Sequence, residues 1–388
     1  MRSRWWIASR PGRETSFGNA GIIQSESVEP YAMPRGLGEL FDIAAGRTND
    51  VFYFLRELPQ HLSPLLRYWW HSQQGRHAAI SQNYARLIQR ATGTHEPLIA
   101  RAGADNLVQR SGYRSLYREQ KKLDEAVERA VRLQSVFGTR FTVKTAGETQ
   151  TEEPALIDAG IGAIHWDEPW SVTSPGDLVT AYADLFLREG GNFLQASVED
   201  IRKSISGEGW LVKTDQGMVN GEHLVVALGV WAVGALKPLD LRFPMVTKRG
   251  YHAHYASPAA LRHTTMDTEN GYVLAPMLAG TRITTGAHLT VPGAPAVYRQ
   301  LERAERAANQ LMDLGARVED IPWSGTRPCM PDMLPVIGPA PGHRNLWLNF
   351  GHGHQGFTLG PASAELLGAM MDGETPPMDP APYRADRF

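Results

Sequence analysis

Two histidines and a glutamine stand among glycines in Gly351-His352-Gly353-His354-Gln355-Gly356, between LWLNF (346–350) and FTLGPASAELLGAMM (357–371). The first run reads as a strand and the second as a helix. A strand that feeds glycines into a helix start presents bare backbone N–H groups and a positive dipole end. Such a turn can steady a ring that gains negative charge, with Phe357 and Thr358 in the first helical turn. The letters also fit G-x-G-x-x-G. A dinucleotide fingerprint, however, needs a second strand after the helix and an acidic residue roughly 20 positions on. No strand pattern follows, so the turn suits a cofactor's ring rather than its pyrophosphate. A metal is set aside, because no third ligand lies at metal-site spacing from the two histidines.

A second candidate is Arg327, in the run GTRPCMPD (325–332), which reads as a restrained loop. A guanidinium held between glycine and proline suits bidentate pairing with a carboxylate; the competing reading is a structural ion pair. Two clusters of small residues permit close backbone approach to a ligand. One is SFGNAG (16–21), with Ser16, Asn19, Ala20 and Gly21. The other is ALGVW (227–231), with Ala227, Gly229 and Trp231 after an apolar strand. No G-x-S-x-G elbow and no H-E-x-x-H occur, so hydrolytic chemistry has little support. Cys329 is the single cysteine. It allows no internal disulfide and no cysteine-based metal site, and reads as an inert loop thiol.

These residues need a scaffold, and the pattern of the chain supplies one. A short strand is expected within 4–10, a loop at 14–23 and a helical zone from about 48 to 137. Within that zone 117–134 has apolar residues at helical spacing. Strands follow at 162–166, at the start of 192–204, and within 209–229. A helix at 174–191 has Ser174 at its N-cap and Pro175 at its first position. Runs 248–255, 271–277 and 281–289 alternate like sheet strands. A helix at 294–314 and a loop at 323–338 precede the closing strand, turn and helix. The fold class is α/β (α+β mixed), in two compact parts. Of 388 residues, 42% are hydrophobic and the net charge is −2, which disfavours nucleic acid as a partner. No run reaches the roughly 18 apolar residues of a membrane span. The aromatic run 54–70 reads as buried core rather than as a membrane-surface face.

In order, these motifs resemble the flavoprotein family of D-amino-acid dehydrogenases, glycine oxidase and D-amino-acid oxidase. SFGNAGII, ALGVWA, KRGYH, GYVLAPM, TRITTGAHL, the W-x-G-x-R-P-x-x-P-D run, GHGHQGFTLGP and the closing YRADRF carry the likeness from Glu14 to Phe388. The resemblance implies FAD and a Rossmann-like FAD-binding domain (1–47, 170–235, 323–388). An antiparallel-sheet substrate domain (48–169, 236–322) is inserted into it. It implies oxidation of a D-amino acid to a 2-oxo acid and ammonia, with electrons passing to a quinone. A cytoplasmic location follows, with peripheral contact at the inner face of the membrane. An oxidase acting on glycine, sarcosine or D-proline, and a flavin-free remnant, are the alternatives. By the same resemblance Arg327 takes the substrate carboxylate and Tyr272 assists it, with Tyr251 a weaker pocket candidate. Ser16, Asn19, Ala20 and Gly21 lie near the flavin ring. Val198 meets the adenine, and Ala227 and Gly229, with Trp231 beside them, meet the pyrophosphate. Gly353, His354, Gln355, Gly356, Phe357 and Thr358 cover the pyrimidine edge, and Gly351 and His352 before them are also assigned to the cofactor.

The family opens with a strand, G-x-G-x-x-G and a helix, which do not occur here. WWIAS (5–9) stands where the family's second strand is expected, with Ala8 and Ser9 in place of the ribose-binding acid. The resemblance therefore predicts an FAD-binding domain truncated at its N-terminus, with weak or no FAD binding.

Overall fold

The computed structural model describes residues 4–46, 49–204 and 209–388. Its largest element is a ten-stranded mixed sheet, and the strand Val246–Tyr255 organises it. That strand pairs antiparallel with Gly280–Thr285 and Ala287–Leu289, and with Trp323–Cys329. Both of its faces are covered, so its sequence is not a simple apolar alternation. Arg249, Tyr251, Ala253 and Tyr255 share one face, because side chains alternate along a strand. Tyr251, Ala253 and Tyr255 pack in one cluster with Leu301, Ala304, Ala308 and Leu311. Those four recur at helical spacing on Arg299–Leu311, which explains both that helix and its site of docking. Lys248, Gly250, His252 and His254 occupy the other face.

Two smaller sheets carry parallel strands. Arg4–Ile7 runs beside Asn192–Gln195. Leu224–Val226 runs beside Leu346–Phe350, which also pairs antiparallel with Val336–Pro339. No strand joins these two sheets among the described residues. A three-stranded meander, Val198–Lys203, Trp210–Thr214 and Gly217–Gly221, completes this region. The strand at the chain's start, the capped helix Pro175–Arg188 and the closing strand, turn and helix all form as the sequence predicts. At that cap, Ser174 Oγ donates to Asp177 at 2.7 Å rather than accepting from a backbone N–H.

Three expectations need correction. The stretch 323–338 is not a loop: Trp323–Cys329 and Val336–Pro339 are strands. The first of these belongs to the large sheet, together with the segments assigned to substrate binding. The zone 48–137 holds four long helices, but the strands Val51–Tyr53, Val108–Gln109 and Tyr113–Tyr117 interrupt it. The run 54–70 is not buried core. Leu55 (78%), Leu62 (56%), Leu66 (59%) and Trp70 (48%) are exposed, while Tyr68 of the same helix is buried.

Candidate functional site

A cavity of about 1420 Å³ lies between the large sheet, the two parallel sheets and the helix Leu58–His71. It exceeds the roughly 300–1,000 Å³ typical of small-molecule sites, so a large cofactor and a substrate can share it. The strands Leu224–Val226 and Leu346–Phe350 point their C-terminal ends at it. Ala227, Gly229 and Asn349 therefore stand on its wall, where open α/β sheets bind ligands. Val198 and Trp231 line it nearby, as do Ser16, Asn19 and Ala20. Gly229 has φ +54°, and a Cβ built there meets nothing within 4 Å.

The loop around Ser16 is held from the large sheet. Arg282 Nη1 donates to the carbonyls of Phe17 (2.9 Å) and Asn19 (2.6 Å). Its Nε donates to His254 Nε2 at 3.0 Å, and His254 Nδ1 bonds to Glu319. Because His254 Nε2 accepts, its proton sits on Nδ1 and is donated to Glu319. Burial pulls Arg282 down to about 10. Trp323 supports the same loop: it stacks on His252 (4.9 Å, 16°) and fills the space a side chain at Gly18 would need. Asn19 does less toward a ligand than its sequence suggests, since its Oδ1 accepts from the N–H of Gly21 (2.8 Å) and Ile22 (3.3 Å).

His252, His254 and Glu319 form a group of metal-ligand type that sequence spacing did not reveal. Both ring nitrogens of His254 are already engaged, and the Arg282 guanidinium beside them opposes a cation. The group acts as a brace for the loop.

In the closing turn, His352, Gly353, His354, Gly356 and Phe357 line the cavity. Burial lowers His352 to about 4. Burial, together with Arg327 and Lys248, lowers His354 to about 3. Both rings are neutral at physiological pH, and neither Nε2 has a partner. Gly21, Gly351, Gln355 and Thr358 do not reach the cavity. Gly21 packs against the Val172 carbonyl and Gly351 against Met330. Thr358 Oγ1 donates to the Ile22 carbonyl at 3.2 Å.

Gln355 Nε2 donates to Gln24 Oε1 (2.6 Å), and Gln24 Nε2 donates to Glu26 Oε1 (2.9 Å). Burial pushes Glu26 up to about 7 from 4.5, and its Oε2 has no partner. The folded state thus favours the protonated acid. The stability this contributes is complete below the free-chain value and is lost as pH rises through about 7. Glu26→Gln should leave the melting temperature unchanged near pH 4. Near pH 8 it should add stability on the order of 3 kcal/mol. Equal melting-temperature differences at the two pH values would contradict this account.

Arg327 extends from Trp323–Cys329 into the cavity. Its Nη1 donates to the Gly286 carbonyl (2.9 Å) and its Nη2 to the Thr285 carbonyl (3.1 Å). Two of its five N–H groups are thereby spent on fixing it, and the others remain for a ligand. Burial lowers its pKa, and a guanidinium remains charged in proteins. Its passage depends on Gly250, where an added Cβ would lie 2.4 Å from Nη2.

Tyr251 and Tyr272 are not brought to Arg327. Both are buried in the cluster under Arg299–Leu311, on the other face of the sheet. The Tyr251 hydroxyl bonds to His288 Nδ1 (2.7 Å) and accepts from the Val297 N–H (3.2 Å). Tyr272 borders the cavity, but its hydroxyl lies beside Asp267 and Arg118. Burial, then Asp267, raise its pKa far above the usual value. The residues that do share the cavity with Arg327 include Tyr31, Tyr68, Thr284 and Lys248. Lys248 was missed, although it stands in the same motif as Tyr251.

Among the wall residues, Asn349, Thr284, His352 and His354 keep buried polar atoms without partners, and Gly229 leaves the cradle open. The fold and cavity define a protein with room for a large polar cofactor and a smaller ligand beside it. A family model described as FAD dependent oxidoreductase matches residues 8–370, and the chain belongs to that family.

A D-amino-acid oxidase of Bradyrhizobium diazoefficiens is 27% identical, over 97% of this chain and 91% of its own length. A D-amino acid dehydrogenase of Cereibacter sphaeroides is 29% identical, over 97% and 87%. A glycine oxidase of Pseudomonas aeruginosa is 33% identical over 47% of this chain and 53% of its own. Among solved structures, glycine oxidase from Geobacillus kaustophilus shares the fold. Its TM-score is 0.74 at 22% identity, covering 100% of this chain and 92% of that one. Iminodiacetate oxidase from a Chelativorans species gives 0.71 at 19%, covering 99% and 92%. The cofactor is FAD, and the chain is an FAD-dependent oxidoreductase of the amine and amino-acid oxidising kind. Among the described residues no helix is long and apolar enough to cross a membrane.

Proposed function

We propose that the chain oxidises D-amino acids to 2-oxo acids and ammonia, with Arg327 as the anchor of the substrate carboxylate. The observation that carries this reading is an arginine fixed by two carbonyls whose unspent N–H groups face a cofactor-sized cavity. Asn349, the turn at His352–Phe357, the loop at Ser16–Ala20, Val198 and the turn at Ala227–Gly229 would hold FAD, with Trp231 at the margin. FAD, when bound, supplies a two-electron acceptor for the hydride that leaves Cα. The lone pair of the neutral amine forms the C=N bond as the hydride leaves, and water hydrolyses the resulting iminium to the 2-oxo acid and ammonium, that is, ammonia with its proton. Arg327 and Lys248 lower the pKa of an ammonium beside them and so favour the neutral amine that this step needs. The first turn of Gly356–Asp372 presents its positive dipole end at the cavity wall.

A quinone is the proposed electron acceptor, reached by peripheral contact with a membrane at its cytoplasmic face. Leu58–His71 supports this: Leu58, Leu65 and Tyr68 line the cavity while Leu62, Leu66 and Trp70 are exposed. Arg35 lies 3.8 Å over Trp69 and Arg76 lies 4.3 Å over Trp70, a mix of cations and aromatics suited to a lipid surface. Purified, FAD-containing protein should reduce a quinone carried in anionic vesicles with D-amino acids and not with their L-forms, and should form little peroxide. Glycine or sarcosine as preferred substrate, with stoichiometric peroxide, would replace this reading by that of an oxygen-using amine oxidase.

A further inference from the structure

Lys248 and Arg327 stand directly opposite each other across an antiparallel ladder and project to the same face. Such neighbours have Cβ atoms about 4.5–5.5 Å apart, and like charges placed so destabilise the pair. Both line the cavity. Lys248 Nζ lies 4.5 Å from the centroid of the Tyr68 ring, and neither cation has a carboxylate partner among the described residues. The acids of the cavity wall do not pair with either cation. Glu14 accepts from Ser9 at 2.5 Å, Glu199 pairs with Lys213 at 2.7 Å, and Asp50 lies against Gly271. Unpaired charges withdrawn from water are costly, so two on one wall mark a place where anionic groups arrive with the ligand.

From this geometry we infer that the substrate carries two carboxylates, one held by Arg327 and the other by Lys248: an acidic D-amino acid such as D-aspartate or D-glutamate. The inference rests on the proposed D-amino-acid oxidation and names the side chain that reaction takes. A neutral amino acid leaves Lys248 uncompensated, and an acidic one satisfies both cations. Tyr68 steadies the ammonium, its ring centroid 4.5 Å from Nζ, without supplying a carboxylate.

The test uses the FAD-containing protein with two readouts. In calorimetry, succinate should bind about tenfold or more tightly than butyrate, the difference expected of one added charge-assisted contact. In turnover, kcat/KM for D-aspartate or D-glutamate should exceed that for D-alanine by a similar factor. Lys248→Met should erase the succinate preference and collapse the ratio of acidic to neutral substrates, and Lys248→Arg should keep both. Lys248→Met should also raise the melting temperature, because it removes a like-charge pair, whereas loss of a lysine with a purely structural role would lower it. Equal binding of succinate and butyrate by the unaltered protein would overturn the inference. So would a Lys248→Met protein in which both ligands weaken equally, as a lysine serving the cofactor's phosphates would produce. If no D-amino acid is turned over but succinate is still selected through Lys248, the subsite stands and the proposed reaction fails. If D-amino acids are turned over without an acidic preference, the reaction stands and the subsite fails.

Discussion

Arg327→Ala, loaded with FAD, should lose roughly 100-fold or more in kcat/KM for its amino-acid substrate, on the order of 3 kcal/mol, mostly through KM. The size follows from a charge-assisted fork in an enclosed site, where the lost partner leaves a desolvated carboxylate behind. Arg327→Lys should recover only part of the loss, since a point charge cannot hold both the Gly286 and Thr285 carbonyls and still offer a fork to the ligand. The flavin absorbance spectrum should stay unchanged in both variants, which separates a substrate anchor from a cofactor ligand. Unchanged turnover and affinity in Arg327→Ala would remove the arginine from the site.

The second large effect is expected at a residue with no side chain. Gly250→Ala places a methyl group 2.4 Å from Arg327 Nη2 and 2.8 Å from Cζ. The atom displaced is the far end of a flexible side chain, so the fold should adjust at a stability cost within about 1 kcal/mol. The guanidinium, however, must leave the carbonyls that aim it. A misplacement near 1 Å costs on the order of 100-fold in rate when geometry governs the reaction. The expected result is a well-folded, flavin-containing protein with a KM defect close to that of Arg327→Ala. In the double variant the two defects should fail to add, because both act through one group. Full additivity would mean that Gly250 serves something other than the passage of Arg327.

Much of the fold was legible because its punctuation is strong. Ser174-Pro175 at one helix start, the glycines at 351–356 and the alternating runs at 248–255 and 271–289 each carry a local physical signal. The strand Trp323–Cys329 was not legible, because Gly325 and Pro328 read as loop residues. Its ladder partner is Val246–Tyr255, and proline is tolerated in a strand with one open edge. The setting of Arg327 was therefore misread: it stands on a strand rather than in a loop. Tyr251 and Tyr272 failed for a different reason. In a strand buried on both faces, residue types do not say which parity faces the ligand. Tyr251 falls one position out of phase with the wall, next to Gly250, while Tyr272 borders the cavity but turns its hydroxyl toward Asp267 and Arg118. Gly21, Gly351, Gln355 and Thr358 lie in the right motifs but brace the backbone from behind. Lys248 stayed hidden because only the ladder register sets it opposite Arg327. The exposed face of Leu58–His71 was masked by the assumption that aromatic runs are interior.

Because Val246–Tyr255 bonds to strands along both edges, a single phase serves the whole cavity. Delete one residue between Val246 and Lys248, and the alternation beyond it inverts. Tyr251 and Arg249 would then crowd the chamber, while Lys248 and His252 would be driven under the helix Arg299–Leu311. Point substitution can retune this wall by degrees. A one-residue change of length that no local bulge absorbs turns it inside out.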